Sequence, residues 1–351
     1  MAEQAQGTEK VSLGAKIVLI LLIGALSMFF AEVLSGSSVL WFINPAAWLL
    51  TFWLYLAHTV LFVNLALIFK RTSLTSLYLW GVFFGLYEAW ITKVTWAGYI
   101  GQAPGAGTFL GFAVIEFPLI VFFWHPVMSF ILPVLSFEAL SGENNILPGH
   151  RKILARTRRN WLLALFVVVI GASCLSFNAK GSILATDISI IGSVALIGAL
   201  YWIASKKYGR QFSIESLKLG NMGMAILIIY LALLYSLTFF FLVPERIAPP
   251  LTILLTLGVY AVIALLLYLS GRDRPAGPEA LAGKGVFSIK EMAILLAVLT
   301  ALATALCLLM PADQIVIIIV YFTLYAASFI LLAISVVSAA RNRQKMAYVD
   351  A

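Results

Sequence analysis

The chain has 351 residues, of which 62% are hydrophobic and only 11% charged, with a formal net charge of +8. Soluble domains run at roughly 45–50% apolar and about 25% charged residues, so this composition excludes a water-soluble globule: too few charges remain to cover a water-facing surface. At about 20 residues per crossing there is room for roughly nine to eleven transmembrane helices and for no large soluble domain.

Ten apolar segments are bounded by charges, Gly/Pro turns and polar clusters, at 16–35, 45–69, 74–100, 108–140, 161–178, 183–204, 219–242, 250–270, 291–310 and 314–340. The first, preceded by Lys10 and Lys16, reads as a signal anchor and not as a cleaved leader. The fourth is too long for one straight crossing, and Pro118, Pro126 and Pro133 predict a kink or a partly re-entrant path. Cys174 and Cys307 both lie inside apolar runs, which offers neither a disulfide framework nor metal-type spacing.

Basic residues alternate between connectors as a membrane topology requires. With the N-terminus inside, 20 of the 23 Lys and Arg fall in cytoplasmic segments, leaving Lys180 and Arg246 outside and Lys93 within a span. The expected fold is therefore an all-α polytopic membrane protein of about ten spans with both termini cytoplasmic. Its expected parts are an N-terminal tail (1–15), a four-span region rich in polar and aromatic residues (16–140), a basic loop (141–160), a six-span apolar region (161–340) and a C-terminal tail (341–351). Such a protein belongs in the cell membrane, with the lipid bilayer as its main partner. Because the positive charge marks topology, no nucleic-acid partner is expected.

The two regions differ in chemistry. Seven of the nine Trp and two of the three His, His58 and His125, fall before residue 141. This places the functional groups in the first four spans and leaves spans five to ten as scaffold, or as a surface for a homo-oligomer or membrane partner. An ionisable side chain deep in a bilayer costs about 2.5 kcal/mol or more, so it normally faces a bundle interior or a water-filled path. Counting about 1.5 Å per residue puts Glu88, His58 and His125 at similar depth, which predicts a Glu88–His58 pairing. Lys93 and Glu116 each lie about 12 Å from the outer ends of adjoining spans and are expected to form a structural ion pair. Tyr87, Trp90, Trp53 and Trp124 are read as deep aromatic residues of the site. Trp41, Trp48, Trp96, Trp161 and Trp202 are read as interfacial belt residues. Glu32, Glu138, Asp187 and Glu291 lie near span ends and are expected to be non-functional. Acids beside aromatic faces suit an organic cation or amine. No phosphate loop, Ser-His-Asp spacing or Cys/His zinc motif is present, so no catalytic residue, metal ligand or cofactor is expected.

The stretches FFAEVLSGSSVLWFINP (29–45), GVFFGLYEAWITK (81–93) and FFWHPVMSFILPVL (122–135) resemble a group of uncharacterised prokaryotic multi-span membrane proteins. Their order, an acidic motif followed by a Trp-His motif, is also loosely similar to the CAAX-processing and bacteriocin-processing intramembrane proteases. That resemblance matches Glu88, Lys93 and His125 to the Glu, Arg and first His of the protease motifs. Ala89 stands where the second Glu belongs, Val121 where the Phe belongs, and no third-motif His follows. The leading expectation is a secondary transporter or permease for a small solute, with Glu88 as the binding or proton-coupling acid. The alternatives are an intramembrane hydrolase with an incomplete Glu/His motif and a non-catalytic assembly subunit.

Overall fold

The computed structural model describes residues 13–208, 212–273, 285–309 and 313–347; Lys10, Arg210, Arg274 and Lys284 lie outside them, as does most of the N-terminal tail. Among the described residues nine helices are long and apolar enough to cross a membrane. They are α1 (Leu13–Val33), α2 (Ala47–Ile68), α6 (Glu116–Ser141), α7 (Arg158–Asn178), α8 (Ile183–Lys207), α9 (Asn221–Phe241), α10 (Pro250–Leu269), α11 (Ile289–Leu308) and α12 (Gln314–Arg341). The third expected segment is present but interrupted. It forms α3 (Leu74–Gly85), α4 (Tyr87–Trp90) and α5 (Val94–Ala97). Lys93 takes left-handed dihedrals (φ 57°) ahead of α5, a conformation that costs an L-residue and ends a right-handed helix.

The fourth segment also departs from expectation. Its first residues form a small hairpin, β1 (Thr108–Phe109) with antiparallel β2 (Phe112–Ala113), and only then does α6 begin. Pro126 lacks an N–H, and the ladder around it opens into π-helical winding from Ile120 to Ile131 without leaving the span. The path is widened and not re-entrant. Shorter π-helical segments occur at Phe29–Val33 in α1 and Ala47–Phe52 in α2.

Helices α1, α2, α3 and α6 form an inner group. Around it, α8 packs on α1, α9 on α2 and α10 on α3, while α12 touches α3, α6, α7 and α10. The most apolar stretches of α1, α2, α6 and α7 are at least half buried, whereas those of α8 to α12 are 11–22% buried. The outer helices carry the exposed Leu, Ile, Val and Phe expected of a lipid-facing surface.

Connectors gather at two ends as alternating crossings require. At the basic end Arg71 donates to the carbonyls of Leu267 and Gly271, and Asp273 accepts from the Thr72 amide and hydroxyl at 2.6 and 2.7 Å. Thr75 meets Ser338 there at 3.3 Å. At the opposite end Asn178 donates to the Ser35 carbonyl (2.6 Å), Arg246 to that of Gly98, and Thr252 to that of Leu110 (3.2 Å). Helix starts follow their sequence signals: Ser73 caps α3, Thr157 caps α7, and Ser288 with Glu291 forms a capping box on α11.

Candidate functional site

Glycine spacing sets the site. Gly81 and Gly85 share one face of α3, and that face meets the widened stretch of α6. A Cβ on Gly81 would lie 2.5 Å from the Pro126 Cα, and one on Gly85 would lie 3.1 Å from the His125 Cβ and the Val121 Cα. Small residues four apart let two membrane helices touch backbone to backbone. This contact brings Glu88 against His125, with Glu88 Oε1 3.2 Å from His125 Nε2. The other ring nitrogen of His125 lies 2.9 Å from the Ser129 hydroxyl, and Thr92 donates to the second Glu88 oxygen. His125 is 2% exposed and Glu88 9%, so the pair is held away from solvent.

Glu88 pairs with His125 and not with His58, as the sequence suggested. The Phe84 ring stands between the two imidazoles, 5.0 Å from His58 at 7° and 5.5 Å from His125 at 25°. His58 Nδ1 donates to the Leu54 carbonyl (2.8 Å), which leaves Nε2 to accept from the Tyr235 hydroxyl (2.9 Å) in the neutral ring.

Lys93 and Glu116 do not pair either. Lys93 Nζ donates to the carbonyls of Thr238 (2.7 Å), Leu242 (2.5 Å) and Ile91 (3.3 Å), closing the C-terminal end of α9, and lies 5.5 Å from the Phe239 ring centre. Glu116 Oε1 accepts from the Gly105 amide at 2.8 Å, and its Oε2 has no hydrogen-bond partner among the described residues. The left-handed turn at Lys93 directs its side chain toward α9, which no helical wheel of an unbroken span would show.

Glu32 belongs to the network after all. Its Oε1 accepts from the Tyr55 hydroxyl and its Oε2 from Ser38, both at 2.6 Å. Tyr55 and Tyr87 share a 3.0 Å hydroxyl contact. Both tyrosine rings lie against His125, at 6.0 and 5.0 Å. Glu32 looked interfacial because it lies three residues from the end of its apolar run. Tyr55, one turn before His58, shares the His58 face, and that spacing was a usable signal. Ser38 also lines an open concavity of about 390 Å³, bounded by Gly36, Asn44, Ala47 and Thr51 among others.

The tryptophans divide differently from the belt assignment. Trp41 is fully buried and donates to Ser193 (2.9 Å), and Trp96 is buried and donates to Thr256 (3.1 Å). Trp53, expected deep, is 41% exposed on the flank of α2. Trp124 is buried and donates to the Ala31 carbonyl (3.0 Å) inside the π-helical turn of α1, and Trp90 donates to Tyr260 (3.0 Å). Both make hydrogen bonds beside the network.

At the basic end Glu138, also read as non-functional, is fully buried. It accepts from His150 Nδ1 (2.6 Å), while His150 Nε2 donates to the Thr72 carbonyl (2.6 Å). Burial lowers the affinity of His150 for a proton. Its bond to Glu138, the Glu138 charge, the Thr72 carbonyl and Asp273 raise it by more, so its pKa lies above 6.5. Among the described residues no three His, Cys, Asp or Glu side chains gather as metal ligands.

The profile of an uncharacterized membrane protein family matches residues 21–344. The chain belongs to that family. A protein of Archaeoglobus fulgidus, itself described as uncharacterized, is 42% identical over 133 residues. That match covers 36% of this chain and 40% of the relative, so the chain spans well under half the length of the curated relative it matches. No solved structure is significantly similar to the chain. The protein is thus a multi-pass membrane protein whose family carries no assigned activity.

Proposed function

We propose that this protein is a secondary transporter for a small cationic solute, with Glu88 exchanging a proton as the solute passes. The observation that carries the reading is the Glu88–His125 pair, a carboxylate and an imidazole hydrogen-bonded to one another inside the inner group of helices. Buried charges of this kind are costly in a bilayer and mark substrate or proton paths. An arriving cation takes the place of the proton on Glu88, and that proton leaves through His125. The faces of Tyr55, Phe84 and Tyr87 around His125 suit an amine or quaternary ammonium group by cation–π attraction.

The test is uptake of methylammonium, choline and tyramine into proteoliposomes with and without a proton gradient. Gradient-dependent uptake of one of them by the wild type, lost in a correctly inserted Glu88→Gln, supports the reading. Equal uptake by Glu88→Gln with the same pH dependence refutes it. One observation favours a hydrolase as the second reading: Glu88 and His125, which the protease resemblance matches, are in contact. Peptide cleavage by the reconstituted protein that a chelator abolishes would establish that reading in place of transport.

A further inference from the structure

The transport reading uses Glu88 and His125 and leaves Glu32, on the π-helical turn of α1, without a task. Its two oxygens accept from the hydroxyls of Tyr55 and Ser38, both at 2.6 Å, the length of an O–H···O bond to an ionised acceptor, roughly 2.5–2.7 Å. Among the described residues no Lys or Arg forms an ion pair with it, and Lys180 on the neighbouring turn between α7 and α8 is exposed. Ser38 in turn lines the open concavity of about 390 Å³, with Thr51 as a further hydroxyl in its wall. A serine has one hydroxyl proton, and Ser38 gives it to Glu32, so only oxygen lone pairs remain for whatever enters the concavity. No Asp, Glu, Lys or Arg stands between Glu32 and Lys70. The residues bounding the concavity, all between Gly36 and Thr51, therefore bring no charge of their own, and the acid behind Ser38 sets the sign of the field there. The wall is also preformed. The Leu40 amide donates to the Ser189 hydroxyl (2.9 Å), Trp41 stacks on Phe52 at 5.4 Å and 13°, and the Asn44 side chain accepts from the Ala46 amide (3.0 Å).

We propose that this concavity is the entry site of the transporter, where Ser38 and the Glu32 charge behind it hold a primary ammonium group before it reaches Glu88. This deepens the transport reading and rests on it. An N–H of the solute donates to the Ser38 oxygen, which accepts more strongly because its own proton is engaged with a carboxylate. A quaternary ammonium has no N–H to give, so the site selects a primary amine. Glu32 stays one hydrogen bond back from the solute and attracts it without closing an ion pair. Binding is then favourable enough to fill the site and weak enough to release it, as passage demands. Tyr55 stands between the two stations: its hydroxyl bonds Glu32 and its ring lies 6.0 Å from the His125 ring.

Protection of a cysteine on the rim tests this in the full-length protein in liposomes. Ala46 lines the concavity and is exposed, and the natural Cys174 and Cys307 are buried, so Ala46→Cys offers one accessible thiol to an uncharged maleimide. Methylammonium is expected to slow the modification, and tetramethylammonium to do so only at about ten-fold higher concentration. Adding Glu32→Gln is expected to raise the half-protecting concentration of methylammonium by about ten-fold or more. Ser38→Ala, on the wall of the concavity, is expected to raise it likewise and serves should Glu32→Gln fail to fold. Glu88→Gln in the same background should leave protection unchanged and remove only gradient-driven uptake. Half-protection at the same concentration with and without Glu32→Gln or Ser38→Ala, or no protection while gradient-driven uptake proceeds, overturns the entry site and leaves the transport reading intact. Protection that needs Glu32, in a protein without gradient-driven uptake of any amine, overturns the transport reading and leaves a cation-binding concavity.

Discussion

Gly81→Ala is the most direct probe of how the site is assembled. The new methyl group would sit 2.5 Å from a backbone atom of Pro126, where ordinary contact needs 3.4–4 Å. Helices α3 and α6 must therefore separate by about 1 Å, because neither contacting atom can rotate away. Overpacking of this kind costs about 1–3 kcal/mol. The Glu88–His125 bond, already 3.2 Å long, does not survive the same displacement, and losing a charge-assisted bond removes about 1.5–3 kcal/mol. Against these stands the helix propensity gained in going from Gly to Ala, about 1 kcal/mol. A net loss of about 1.5–5 kcal/mol follows, measurable by reversible unfolding in mixed detergent micelles. Gly258→Ala is the matched control: nothing lies within 4 Å of its added Cβ, so propensity alone acts and stability holds or rises. A Gly81→Ala protein as stable as the wild type would refute the close approach of α3 and α6.

Other consequences are equally open to measurement. Lys93→Met strands the end carbonyls of α9 and is expected to lower stability by about 2–4 kcal/mol, whereas Glu116→Gln should stay within about 0.5 kcal/mol of wild type; a charge swap that rescued both residues would restore the ion pair excluded above. Because the folded-state pKa of His150 is raised, its contribution is fully present below about pH 6.5 and is lost as pH climbs through the raised value. Unfolding stability should therefore fall on the alkaline side, and His150→Gln should flatten that limb; an unchanged slope would count against the Glu138–His150 link. Cysteines introduced at Gly149 and Gly105 should label from opposite sides of the membrane, with the Gly149 side cytoplasmic, and labelling of both from outside would overturn the topology.

The sequence made the spans legible because apolar length and alternating basic connectors are strong, local signals. Proximity was legible in part: Phe84 stacks on both His58 and His125, and His125 meets Glu88. Partner choice was not. An ideal helix carried through 74–100 puts Lys93 opposite Glu116, and the left-handed residue that breaks that helix turns the lysine toward α9. His125 reaches Glu88 because of the Gly81/Gly85 contact, which the residues offered but did not assign to α6. Glu32 and Glu138 were misjudged for one reason: distance from a span end measures depth along the membrane normal, whereas burial here comes from neighbouring helices at the same depth.

The wide winding of α6 has a mechanical consequence. A π turn holds one more residue than an α turn, so tightening one such turn within Ile120–Ile131 releases a single residue of slack. Everything beyond it then rotates by about 100° and advances about 1.5 Å relative to the part before it. Glu116 lies ahead of this stretch and Glu138 behind it, so any such re-winding would wrench the anchor at Gly105 against the anchor at His150.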